Sequence, residues 1–403
     1  MTENRLRFWF RAGLLNLAIV ALYGLVMRYK IAFDFPFFEQ RNLLHAHSHF
    51  AFGGWVTHML YCGFSALVRP YLPERTIRKY EILIGLNLVC SFGMLVAFTI
   101  QGYKAVSITF STLAVVLAVL FATRFIKNRG DLPKGHPALP WAVMALVLHV
   151  VSSAGPAMLA YMMGTKSINA DWYLGSVYYY LHFQYNGWFF FGAVALLAGQ
   201  QGFPGLSKYF RVVSFTVFPT LFLSLLWLKI PAWLYWITVA AAIVQLLAWG
   251  VLLRENRNSL KHLSLQVCSS GWTVWLFYAA IAAVSIKFLL QAVSVIPALS
   301  QLVFGFRPIV IAYLHLVLLG VYSLFLIAYL KVRGHMADSK GARIAVFGFL
   351  GGVFLNELLL AVQGGAAFWY LPVPFIHELL VVAALLLFLS AAGLWLTQLK
   401  KVS

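Results

Sequence analysis

Stretches of almost unbroken apolar sequence dominate the chain, and at roughly 17–25 residues each they match the helix needed to cross about 30 Å of hydrocarbon. They lie at 8–27, 45–68, 82–100, 107–125, 141–163, 172–197, 212–228, 232–253, 271–292, 308–330, 342–363 and 375–396. A transmembrane barrel would show short segments of alternating polarity instead. Inside a bilayer every backbone polar group needs a partner within the protein, so runs of this kind fold as helices. The expected fold is an all-α, polytopic membrane bundle of about twelve transmembrane helices. Residues 1–403 are expected to form it as a single integral membrane domain.

Composition excludes the alternatives. The chain is 62% apolar and 10% charged, whereas soluble domains run near 45–50% and about 25%. The net charge of +19 would suggest nucleic acid in a soluble protein. Here the basic residues sit in short loops between apolar spans, so no nucleic-acid partner is expected. Cys62, Cys90 and Cys268 lie in or beside spans and form neither a disulfide framework nor a metal-spacing motif. The first span follows Arg5, Arg7 and Arg11 without a small-residue cleavage site, and reads as an uncleaved helix.

Twelve crossings put both termini on one side. With the termini inside, the inward segments hold about three times as many Lys and Arg as the outward loops, as the positive-inside rule requires. Both termini are therefore expected in the cytoplasm, and the setting is expected to be a bacterial cytoplasmic (inner) membrane. Gly155-Pro156 and Pro219 predict kinks in the fifth and seventh spans.

Polar side chains within spans are costly and mark function by default. The second span opens with His45-Ala-His47-Ser-His49, and the sixth carries His182-Phe-Gln184-Tyr185-Asn186-Gly-Trp188. The tenth carries Tyr313-Leu-His315, and the twelfth begins near His377-Glu378. Lys287, Gln291, Glu357 and Gln363 fall near the outer ends of the ninth and eleventh. At about 1.5 Å per residue, all of these lie in the outer half of the bilayer. His45 and His49 share a helix face. His47 points the other way, with His58 on its side about three turns deeper. His182, Tyr185 and Asn186 offer imidazole, phenol and amide together. Glu357 is expected to pair with Lys287 or a histidine, and Lys287 alone would snorkel outward. His149 reads as a hydrogen-bonded packing residue. His136, His262 and His335 read as solvated loop residues.

Imidazole ligates haem iron, copper and zinc. One histidine of the second span and one of the tenth could hold a haem iron axially. No Cys-x-x-Cys-His is present, which excludes covalent haem attachment by that motif. The twelve-helix plan, with histidines in the second, sixth and tenth spans, resembles subunit I of the heme-copper oxidase superfamily. So does the segment His45-Ala-His47-Ser-His49-Phe-Ala-Phe-Gly-Gly-Trp55. The resemblance implies a heme-copper-oxidase-like fold with haem as cofactor and His45, His49 and His315 as cofactor-binding residues. It implies copper or zinc at His182, with His47 a further metal candidate. Gln184, Tyr185, Asn186, Lys287, Glu357, His377 and Glu378 would be supporting polar groups. The seventh span lacks the superfamily's histidine pair, and the tenth has one histidine instead of two. The implied activity is electron transfer or a nitrogen-oxide- or quinol-related oxidoreductase role without a complete haem–copper centre, with a quinol or separate electron donor as partner. No Asp or Glu is expected in the inner half of any span. The alternatives are a transporter using the same polar cluster and a cofactor-free accessory subunit.

Overall fold

The structure, a computed structural model, describes residues 1–200, 205–258, 271–300 and 307–399. His262 and Cys268 lie outside these residues. Among the described residues there is helix and no strand. Among the described residues nine helices are long and apolar enough to cross a membrane. They are Glu3–Ala32, Glu74–Gln101, Ala105–Asp131, Ala138–Gly164, Ala232–Glu255, Thr273–Val293, Pro308–Val332, Lys340–Ala367 and Ile376–Thr397. Large apolar side chains such as Val89, Phe215, Trp233, Leu247 and Phe354 remain exposed on the protein. Helices apolar on both their inner and outer faces suit a lipid surround. The chain is an integral membrane protein with a lipid bilayer as its environment.

Contacts divide the chain into two compact units. The first comprises 1–121, 275–277 and 323–403. Its main elements are α1 (Glu3–Ala32), α2 (Gln40–His49), a π-helical segment π1 (Phe50–Thr57) and α3 (His58–Val68). They continue with α4 (Glu74–Gln101) and most of α5 (Ala105–Lys127). Helix α1 packs on α16 (Ile376–Thr397), which packs on α15 (Lys340–Phe368), while α2 packs on α4.

The second unit comprises 122–274 and 278–322. It holds α6 (Ala138–Ser152), α7 (Ala154–Gly164), α8 (Ala170–His182), π2 (Phe183–Trp188) and α9 (Phe189–Ala198). After these come α10 (Leu206–Thr216), a 3-10 turn (Pro219–Leu225), α11 (Ala232–Glu255) and most of α12 (Thr273–Val293). Then follow α13 (Arg307–His315) and π3 (Leu316–Ser323), which leads into α14 (Leu324–Val332) of the first unit.

Both expected breaks are present. Helices α6 and α7 part at Ser153, just before Gly155-Pro156. There α8 approaches so closely that a Cβ on Gly155 would lie 2.5 Å from the Ser176 carbonyl oxygen. Pro219 opens the 3-10 turn that ends the seventh apolar stretch.

Candidate functional site

Three of the candidate histidines share one structural setting. His49 is the last residue of α2 before π1, His182 the last of α8 before π2, and His315 the last of α13 before π3. A π segment widens the turn and releases backbone groups from the regular ladder, and such segments recur at functional sites. The released groups need other partners. In π1 the Gly54 and Gly53 carbonyl oxygens accept from the side-chain amides of Asn16 on α1 and Asn87 on α4. In π2 the Tyr185 carbonyl accepts from the Tyr322 hydroxyl of π3. Asn16 and Asn87 were not singled out in the sequence, although a lone amide in an apolar span is itself the signal.

In the first unit His45 and His49 lie on one face, as their spacing predicts. His49 stacks on Phe98 at 4.5 Å between ring centroids, and its Nε2 lies 2.9 Å from the Tyr103 hydroxyl. His45 meets the Tyr103 ring edge-on at 4.6 Å, and its Nε2 is buried without a hydrogen-bond partner. His47 turns the other way, its Nδ1–H donating to the Val20 carbonyl of α1 at 3.1 Å. Deeper in the same seam, His58 Nε2–H donates to the Trp9 carbonyl at 2.9 Å. Each of these carbonyls sits one helical turn before a glycine, Gly24 or Gly13. A Cβ on Gly24 would meet His47 Cε1 at an ordinary 3.5 Å, and one on Gly13 would collide with Met59 Sδ while meeting His58 Cδ2 at 3.4 Å.

Glu357 on α15 accepts from its neighbour Asn356 at 3.1 Å. It takes part in no ion pair among the described residues, in place of the expected pairing with Lys287 or a histidine. His377 and Glu378 are exposed in the first turn of α16.

In the second unit His182 is fully buried with both ring nitrogens engaged. Its Nε2–H donates to the Val217 carbonyl at 2.8 Å, and its Nδ1 accepts from Asn186 Nδ2 at 3.1 Å. A ligand role would require Asn186 to withdraw. Gln184 Nε2 donates to His149 Nδ1 at 3.1 Å and to Ser152 Oγ at 2.8 Å, while the His149 ring stacks on Trp188. His149 is thus the hydrogen-bonded packing residue that its isolation suggested. The Tyr185 and Tyr313 rings meet edge to face at 6.0 Å. His315 Nδ1–H donates to the Ile311 carbonyl at 2.8 Å, which makes Nε2 the lone-pair nitrogen of the neutral ring.

Lys287 does not snorkel. It is 2% exposed, with Nζ 4.2 Å from the Phe288 ring centroid and 5.4 Å from that of Phe190. It too forms no ion pair among the described residues. A lysine buried within a membrane helix is costly, and two aromatic faces offset only part of that.

Helix α4 begins at Glu74, ahead of the apolar stretch at 82–100, so Glu81 is helical and 4% exposed. It is held by Arg5 Nε at 2.6 Å and by the Trp9 indole N–H at 3.2 Å. His335 is buried beside Glu3 and Phe10 instead of being solvated, with Nδ1 3.1 Å from Glu3 Oε1.

Among the described residues no group of three or more His, Cys, Asp or Glu side chains is gathered closely enough to hold a metal ion. No protein-family model matches the chain, and no curated protein matches it.

Proposed function

We propose that the chain is a divergent, heme-copper-oxidase-like membrane protein that binds haem or a single metal and serves electron transfer or a nitrogen-oxide- or quinol-related redox role. The observation carrying this reading is the π segment that follows each of His49, His182 and His315. All twelve apolar stretches cross the bilayer in this reading. The three beyond the nine apolar helices are the two that carry the histidine motifs and the one broken at Pro219. Both termini face the cytoplasm of a bacterial inner membrane.

The donor set supports the reading unevenly. His45 fits best, because a buried imidazole nitrogen without a partner gains most from a metal bond. His315 and His47 fit next, since ligating histidines characteristically give their other N–H to a backbone carbonyl. His49 shares its Nε2 with Tyr103 and fits as a positioning neighbour of His45 or as its substitute. His182 serves as a copper or zinc ligand only in a state that frees it from Asn186. Haem at these residues would supply one-electron chemistry, with a quinol or a separate donor providing the electrons. Replacing His45, His49, His182 and His315 by Ala one at a time should remove or alter bound haem or metal in at least one variant. Normal cofactor content in all four would refute the assignment.

The transporter alternative draws on a different observation, the buried Lys287 in a unit with two interrupted spans. Substrate-dependent uptake into proteoliposomes by cofactor-free protein would favour it.

A further inference from the structure

Lys287 lies in the second unit, buried among rings, with no acidic partner among the described residues. Its surroundings hold more unmet hydrogen-bonding capacity. Gln291 is one turn further along α12 on the same face, 8% exposed, with a buried Oε1 that has no partner. Across from it, Asn186 precedes Phe190 by one turn, and Phe190 is one of the two rings against the ammonium. Asn186 is 7% exposed and its Oδ1 is also buried without a partner.

The orientation of Asn186 follows from its neighbours. Val217 offers His182 only a carbonyl oxygen, so His182 carries its proton on Nε2. The lone pair at Nδ1 then takes the Asn186 N–H, and Oδ1 must face away from the ring. A buried cation thus has one unpartnered amide oxygen a turn along its own helix and another a turn from a ring it faces, and no hydrogen bond joins Lys287 to either amide among the described residues.

Buried polar groups cost free energy until they are paired, and a buried charge costs more than a neutral dipole. A ligand that answers the cation and an amide oxygen together must bring an anion for the ammonium and a hydrogen-bond donor for the amide. The geometry points to a binding site for a small hydroxy-carboxylate at Lys287 and Gln291 beside Asn186, the carboxylate on Lys287 and the hydroxyl donating to Gln291 Oε1. A plain carboxylate meets only the first need, and an inorganic halide likewise. The site takes no ligand contact from a histidine, and it holds in the state in which His182 accepts from Asn186.

The test is thermal unfolding of the purified, detergent-solubilised protein titrated with sodium lactate, against acetate and chloride at equal ionic strength and pH. Lactate should raise the midpoint saturably, and half-saturation should need at least about tenfold more acetate, the cost of one missing hydrogen bond to a buried group. Lys287→Met should abolish the response and Lys287→Arg retain it. A wild-type midpoint that moves no more with lactate than with chloride, or a full lactate response in Lys287→Met, would overturn the site. Should Lys287→Met fail to fold, Gln291→Leu takes its place. Loss of the preference for lactate over acetate supports the site, and an unchanged preference overturns it. Cofactor content measured on the same samples separates failure here from failure of the redox reading.

Discussion

At the scale of the residue, the chemistry turns on which imidazole nitrogens are already spoken for. His182 is saturated, His47 and His315 are anchored through Nδ1, and His45 keeps a buried, unpartnered Nε2. His45→Ala should therefore lose most of the bound haem or metal, and His377→Ala, an exposed residue, should lose none. Cofactor-to-protein ratio by absorbance and elemental analysis decides it. A second residue-scale prediction concerns His335. Burial first, and then Arg333, Arg7 and Arg69, push its imidazole down to about 4, against the opposing pull of Glu3. The folded protein thus takes up this proton less readily than the unfolded chain does. The stability owed to the neutral ring is present above about pH 6.5 and is lost as the pH falls toward 4. His335→Asn should flatten the acid side of a stability-versus-pH profile between those limits. An unchanged slope there would show that the ring titrates alike in both states.

Among the helical elements, the π segments explain why polar residues stand where the apolar pattern has no use for them. Asn16 and Asn87 answer the carbonyls that π1 sets free. Asn16→Leu or Asn87→Leu should lower thermal stability by about 1 kcal/mol each, the usual worth of a buried hydrogen bond in such a bundle. Gly155→Ala should cost more, about 1–3 kcal/mol, because backbone of α8 would have to move. Melting curves on the three variants check both the order and the sign. Nine of the expected spans were legible as apolar helices among the described residues because length and apolarity alone specify a membrane helix, and the breaks at Gly155-Pro156 and Pro219 because proline removes a backbone donor. The shared face of His45 and His49 was legible from four-residue spacing. The π segments were not legible, because no residue type demands them. Glu81 was missed because the apolar run begins after it while the helix begins before it. The burial of Lys287 was also missed, since spacing cannot tell a snorkelling lysine from one capped by Phe190 and Phe288.

For the whole molecule, the proposal of twelve crossings makes the two termini share a compartment. In that proposal the loops richer in Lys and Arg place both in the cytoplasm. Green fluorescent protein fused to the C-terminus should fluoresce, and alkaline phosphatase at the same position should stay inactive. The reverse pattern would place the C-terminus outside and contradict the proposed arrangement of both termini in the cytoplasm. The central claim, that these histidines serve a redox cofactor, is met most directly by a visible absorption spectrum of the purified protein. It should be recorded oxidised and then dithionite-reduced, alongside metal analysis, on protein expressed with ample haem and metal. A Soret band with α and β bands on reduction, diminished in His45→Ala, is the predicted result. Protein with neither haem nor stoichiometric copper or zinc would contradict the account.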